Sequence, residues 1–235
     1  GSSTSSFVNR GTIRAGTGSV ALTGVNWRNE GTIEAAGGTV IIDGTVQSQD
    51  LGTVLNTAGT LRLQGTVENA GRTWDLGRGG NARNWQIAGG RVNGGEISSS
   101  TAAQLSVSSA TMDNVTLDVD TTVTGSMSVP NQLTVAAGRT VNVANTSSSL
   151  RFTGTNGLLT GAGTVSMTGS SSDLLATTTG SSFTIDSGVT VAAGSPSSAI
   201  GSSTSSFVNR GTIRAGTGSV ALAGVNWRNE GTIEA

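Results

Sequence analysis

No cysteine, histidine, lysine or tyrosine occurs in this 235-residue sequence, and proline occurs only twice. Each absence closes a route. Without cysteine there is no disulfide and no thiolate metal site. Without histidine a Ser-His-Asp or Cys-His arrangement lacks its imidazole, and zinc sites of the usual types lack their ligands. Without lysine there is no Walker loop and no lysine-dependent isopeptide cross-link. Charge is sparse and balanced: 13 arginines stand against 14 acids, a net charge of −1. No global field therefore draws in nucleic acid or anionic lipid. No apolar run reaches the ~18 residues of a membrane-spanning helix, and no signal peptide is legible.

Glycine is abundant, at 36 residues, beside 34% hydrophobic residues. Together they give an ordinary apolar content for a folded chain, so the richness in Ser, Thr and Gly does not imply disorder. The dominant feature is repetition. Residues 1–35 return as residues 201–235, identical except for Thr23 against Ala223. The opening GSS recurs at Gly201-Ser202-Ser203, which makes it part of the repeat and not an expression scar. Residues 1–200 thus read as one complete unit and 201–235 as the start of the next. The copy stops at Glu234-Ala235, halfway through a pattern that the first copy completes. The expectation is a segment of a longer array, with the unit as its axial repeat.

A shorter period lies inside the unit. FVNRGTIRAGTGSVALTG (7–24) aligns with WRNEGTIEAAGGTVIIDG (27–44), and DLGTVLNTAGTLRLQG (50–65) follows in the same columns. A fourth line starts at Asn69-Ala70-Gly71 and loses the pattern. Within each line the alternation has a period of two. Ile13 and Ala15 face one way, Thr12 and Arg14 the other; Val20 and Leu22 face in, Ser19 and Ala21 out. Short alternating segments bounded by Gly and Asn are strands and turns. Val115, Leu117 and Val119, and later Phe183, Ile185, Val189 and Val191, keep the signature with looser spacing.

Strands this short bury little alone, but coils of about 20 residues can stack on one another, ~4.8 Å apart. The fold expected is all-β: a parallel β-helix, or β-solenoid. Ten such coils would advance the unit by ~48 Å. Stacking also predicts neighbours. Arg10 lies over Glu30, Arg14 over Glu34 and Phe7 over Trp27, while Asn9, Asn29 and Asp50 form a polar column. Thr12, Thr32 and Thr53 form an outward threonine column too short for ice binding.

VNRGTIRAGTGSVALTG and RNEGTIEAAGGTVIIDG resemble the N-x-G-x-I-x-A-x-G-G-x-V-x-L repeats of filamentous haemagglutinin-type and autotransporter-adhesin passengers. That resemblance implies a right-handed coil, secretion, a place at the bacterial cell surface, and a role in attachment. It carries over no catalytic or ligand residues.

Two stretches could hold chemistry. In MDNVTLDVDTT, Asp113, Asp118 and Asp120 are calcium candidates, since calcium takes several oxygen ligands. The plainer reading is a solvated acidic edge that discourages lateral aggregation. Residues 70–96 hold Arg72, Arg78, Arg83 and Arg91 with Trp74 and Trp85. Arginine beside tryptophan suits a glycan or a lateral fibre contact. The plainer reading is a loop whose indoles cover the flank of the coil. The function expected is a non-catalytic structural repeat of a very long extracellular solenoid, a stalk or fibre with no cofactor. Its partners would be neighbouring repeats, with lateral copies or a surface glycan as further candidates. The alternatives are a polysaccharide-active lyase or hydrolase, and a subunit that bundles through residues 70–96.

Overall fold

A computed structural model describes residues 4–78, 84–194, 197–216 and 218–235. It is a parallel β-solenoid. Inward and outward residues alternate along nearly every strand, as in Thr32–Ala35 and Thr39–Ile42. This is the period of two that β geometry requires when one face is buried.

Three long ladders of parallel strands run along the rod. The first takes in Thr45–Gln47, Thr66–Glu68, Ser149–Phe152, Asp173–Ala176, Ser198–Ile200 and Val220–Leu222. The second runs from Thr73–Asp75 through Glu96–Ser98 and Val115–Asp118 to Ser206–Asn209 and Arg228–Asn229. The third starts at Ser19–Leu22 and passes through Thr39–Ile42 and Thr60–Leu63 to Thr140–Val143, Thr164–Met167, Thr190–Ala193, Thr212–Ala215 and Thr232–Glu234. In the middle of the rod, three nine-residue strands, Trp85–Asn93, Leu105–Asp113 and Thr121–Val129, turn the corner between the third and first ladders. They do so through register shifts near residues 88, 108 and 125. A shorter fourth ladder, Thr12–Ala15, Thr32–Ala35 and Thr53–Asn56, belongs to the first coils only.

The third ladder measures the coils. Val20, Val40, Leu61, Trp85, Leu105, Thr121, Val141, Val165, Val191 and Ile213 stand directly over one another. Coil lengths along it vary from 16 residues (Leu105 to Thr121) to 26 (Val165 to Val191). Nine steps consume the 193 residues from Val20 to Ile213, about 21 each, slightly longer than the expected 20. Inward-facing members of this column from Val40 to Ile213 are buried, and each large apolar side chain contributes about 1.5–3 kcal/mol. Thr121 is the polar exception; its hydroxyl donates to the Val119 carbonyl at 3.2 Å.

Corners need a separate explanation, because strands alone do not turn. In the first coils Asn-x-Gly closes them. Asn9 Nδ2 donates to Asn29 Oδ1 at 2.7 Å, and Asn29 Nδ2 donates onward to the carbonyls of Leu51 and Thr53. Glycine follows because the coils meet there: a Cβ on Gly31 would strike the Gly11 carbonyl oxygen. Asp50 does not continue this column. It lies in a 3-10 turn, Ser48–Leu51, and the backbone carbonyl of Leu51 receives the Asn29 amide in its place. The Asn29 amide needs only acceptors at this level, and the backbone of the turn and of the strand after it supplies them.

Candidate functional site

The short ladder ends at Thr53–Asn56, and no strand of the described residues pairs with its far side. A cleft of about 370 Å³ opens there between the third and fourth coils. Leu51, Val54, Leu76, Trp74 and Trp85 supply its apolar lining; Ser48, Arg72 and Arg78 supply polar groups. The Ser48 hydroxyl is buried and has no hydrogen-bond partner among the described residues.

The described part of residues 70–96 is not a plain loop. It contributes Thr73–Asp75 to the second ladder and Trp85–Asn93 to the third and first. Both indoles are core residues, 4% and 2% exposed, and meet edge to face at 5.0 Å. An aromatic platform for sugar stacking needs an open ring face, and these faces are turned inward. The arginines divide. Arg72 donates to Gln49 Oε1 at 3.0 Å and to the Ala70 carbonyl. Arg91 pairs with Asp113 at 3.0 Å and is fixed. Arg78 is exposed beside Asp75. Arg83 lies outside the described residues. Burial acts to raise the Asp75 carboxyl, but hydrogen bonds from Ser100 and the Gly77 amide outweigh it and hold the group below its ordinary value.

The three calcium candidates do not converge. Asp113 accepts from Arg91, Asn114 and Asn131; Asp118 pairs with Arg139 at 2.8 Å; Asp120 accepts from the Thr140 amide. Among the described residues no group of three acids is placed to share an ion. Val115, Leu117 and Val119 take the inward positions between them, so the alternation spreads the acids along an edge.

The inter-coil pairs are in contact. Arg10 Nε meets Glu30 at 3.0 Å, Arg14 Nε meets Glu34 at 3.0 Å, and Phe7 stacks on Trp27 with centroids 5.2 Å apart. The guanidinium of Arg10, and then that of Arg28, keep the Glu30 carboxyl below its ordinary value despite some desolvation. Sequence reasoning missed a second aromatic column: Phe152, Phe183, Phe207 and Trp227 stack at 5.2, 5.5 and 5.3 Å. Their separations of 31, 24 and 20 positions share no common period, which hides the column from a repeat search.

No described helix is long and apolar enough to cross a membrane. No family model, curated protein or solved structure matches the chain.

Proposed function

We propose that this chain is a structural segment of a long β-solenoid, a stiff rod that serves as a stalk or fibre at a bacterial surface without catalysis of its own. One observation carries the reading. The third ladder passes from Thr190–Ala193 in one unit to Thr212–Ala215 and Thr232–Glu234 in the next without losing a strand. The apolar column passes with it, Val191 beneath Ile213. A seam with both backbone and core continuous has no hinge, so adding units lengthens the rod. The surface location draws its support from the haemagglutinin-type repeat pattern. The absence of cysteine is compatible with export, since the stacking needs no disulfide.

At ~4.8 Å per coil, 200 residues advance the rod by about 45 Å. Electron microscopy of the native fibre should show an axial repeat near that value; a compact particle would overturn the proposal. A polysaccharide-active reading predicts reducing or unsaturated ends released from acidic glycans, and turnover in such a screen would replace ours. Among the described residues of this region, lateral bundling falls to Arg72 and Arg78, because the indoles are inside. Bundles that form normally after both are changed to Ser would remove that contact.

A further inference from the structure

The two identical segments do not sit on the same ladders. In the first copy Ser19–Leu22 belongs to the third ladder and Thr12–Ala15 to the short one. In the second, Thr212–Ala215 belongs to the third ladder and Val220–Leu222 to the first. Yet the copies agree internally. Thr12 opposes Thr32 as Thr212 opposes Thr232, and Val8 opposes Arg28 as Val208 opposes Arg228. Arg10–Glu30 and Arg210–Glu230 measure 3.0 and 2.9 Å; the Asn9–Asn29 and Asn209–Asn229 bonds are both 2.7 Å. Each copy is covered on one side only. Trp27 and Ile33 are fully buried by the coil above, whereas Trp227 and Ile233 are 37% and 40% exposed. Phe207 and Ile213 are fully buried by the coil below, whereas Phe7 and Ile13 are half-buried.

From this, and resting on the reading as an array of units, we infer that consecutive units join by exchanging ladders. The third ladder of one unit becomes the short ladder of the next and ends at the equivalent of Thr53–Asn56. The first ladder of one unit becomes the third ladder of the next. The second ladder of one unit becomes the Val8–Asn9 and Arg28–Asn29 pair of the next, which reaches its first ladder where Val25 bridges Thr45, and a new second ladder starts at Thr73–Asp75. The surface above residues 201–235 is then the one that residues 36–56 cover in the first copy, and the surface below residues 7–24 is the one that 182–200 provide. One ladder ends and one begins in every unit, so the cleft beside Thr53–Asn56 recurs once per unit.

Cysteine pairs test the exchange in a chain that has no other thiols. Ladder neighbours ~4.8 Å apart lie within disulfide reach. Ala192→Cys with Arg214→Cys should lose both free thiols on oxidation, and Ala192→Cys with Ala221→Cys should keep them. Thr190→Cys with Thr212→Cys repeats the first arm should either substitution disturb folding. In a chain lengthened by another copy of residues 36–200, Glu234→Cys should cross-link to Cys placed at the added copy of Leu55, as Glu34 opposes Leu55. A 192–221 disulfide, or none in the first arm or in the lengthened chain with native circular dichroism, overturns the exchange while leaving the rod reading intact. A compact particle from the unsubstituted chain overturns the rod reading itself.

Discussion

The first coils, residues 7–65, and the later ones, residues 140–208, ahead of the second copy's Asn209 and Arg210, solve the same corner problem with different chemistry. Early corners use asparagine. Its amide carries a donor and an acceptor at the end of a side chain long enough to reach the next coil, so Asn9 and Asn29 bond across coils. Late corners use buried serine. Ser148 bonds to the Asn145 carbonyl at 2.7 Å within its own turn, and Ser202 to Ser205 at 2.7 Å. Contacts from buried serine to another coil are longer, as between Ser172 and Ser198 at 3.3 Å. The early coils take 20 or 21 residues and carry Arg–Glu pairs, whereas the late ones take 22 to 26 and carry the phenylalanine stack. Early register is thus specified by polar side chains, and late register by the backbone ladder and the rings.

The largest test removes a ring. Phe183→Ala should cost about 3–5 kcal/mol, because Phe183 is 1% exposed between Phe152 and Phe207. Hydrogen exchange should show lost protection around Ser182–Ile185 and little change at Thr32–Ala35, since coils contact mainly their neighbours. Uniform loss along the rod would break the contrast between regions.

Asparagine against serine comes next. Asn29→Ala leaves Asn9 and two carbonyls without their partner, and should cost about 2–3 kcal/mol; Ser172→Ala should cost about 0.5–1.5 kcal/mol. Urea unfolding gives the order, and equal costs would mean that the serine corners hold register as firmly. A smaller effect is expected from Arg14 and Glu34. A double-mutant cycle should give a coupling of about 0.2–1 kcal/mol, weakened by salt. No coupling would leave early register to asparagine alone.

The smallest effect concerns Asp173, whose carboxyl is raised by burial even though Arg151 draws it down. A carboxyl with a raised folded pKa contributes most to stability below its unfolded pKa, and that contribution falls as pH rises through the folded value. Asp173→Asn should therefore stabilise the late coils at neutral pH, by no more than ~0.5 kcal/mol. The gain should vanish below the ordinary value of 3.8. A gain that persists in acid would point to packing instead of charge.

Much of this was legible in the sequence because alternation reports which side chains face inward. Val115, Leu117, Phe183 and Ile185 were placed inward on that basis and are buried. Vertical neighbours were legible where spacing is constant, as for Arg10 and Glu30. Which ladder a strand joins was not, because that depends on the accumulated length of every corner below it. Thr12–Ala15 and Thr212–Ala215 have the same sequence and different ladders for this reason. The Arg/Trp segment misled in a related way. Losing the repeat pattern looked like leaving the coil, but Trp74 and Trp85 continue it with bulkier residues. The acids at Asp113, Asp118 and Asp120 sit close in sequence and apart in bonding because strand and turn carry them to different partners.

The nine-residue strands between residues 85 and 129 have a consequence for how such a rod can diversify. Solenoids acquire new surface by insertions at their turns, and proteases cut at those same turns. For three coils, this edge has continuous strand where a turn would be. An insertion there would disrupt two ladders at once, so that stretch is closed to decoration and nicking alike. The turn at 144–148 reopens the same edge further along. Variation among units of such an array should therefore gather at the turns of the late coils and spare the bent strands.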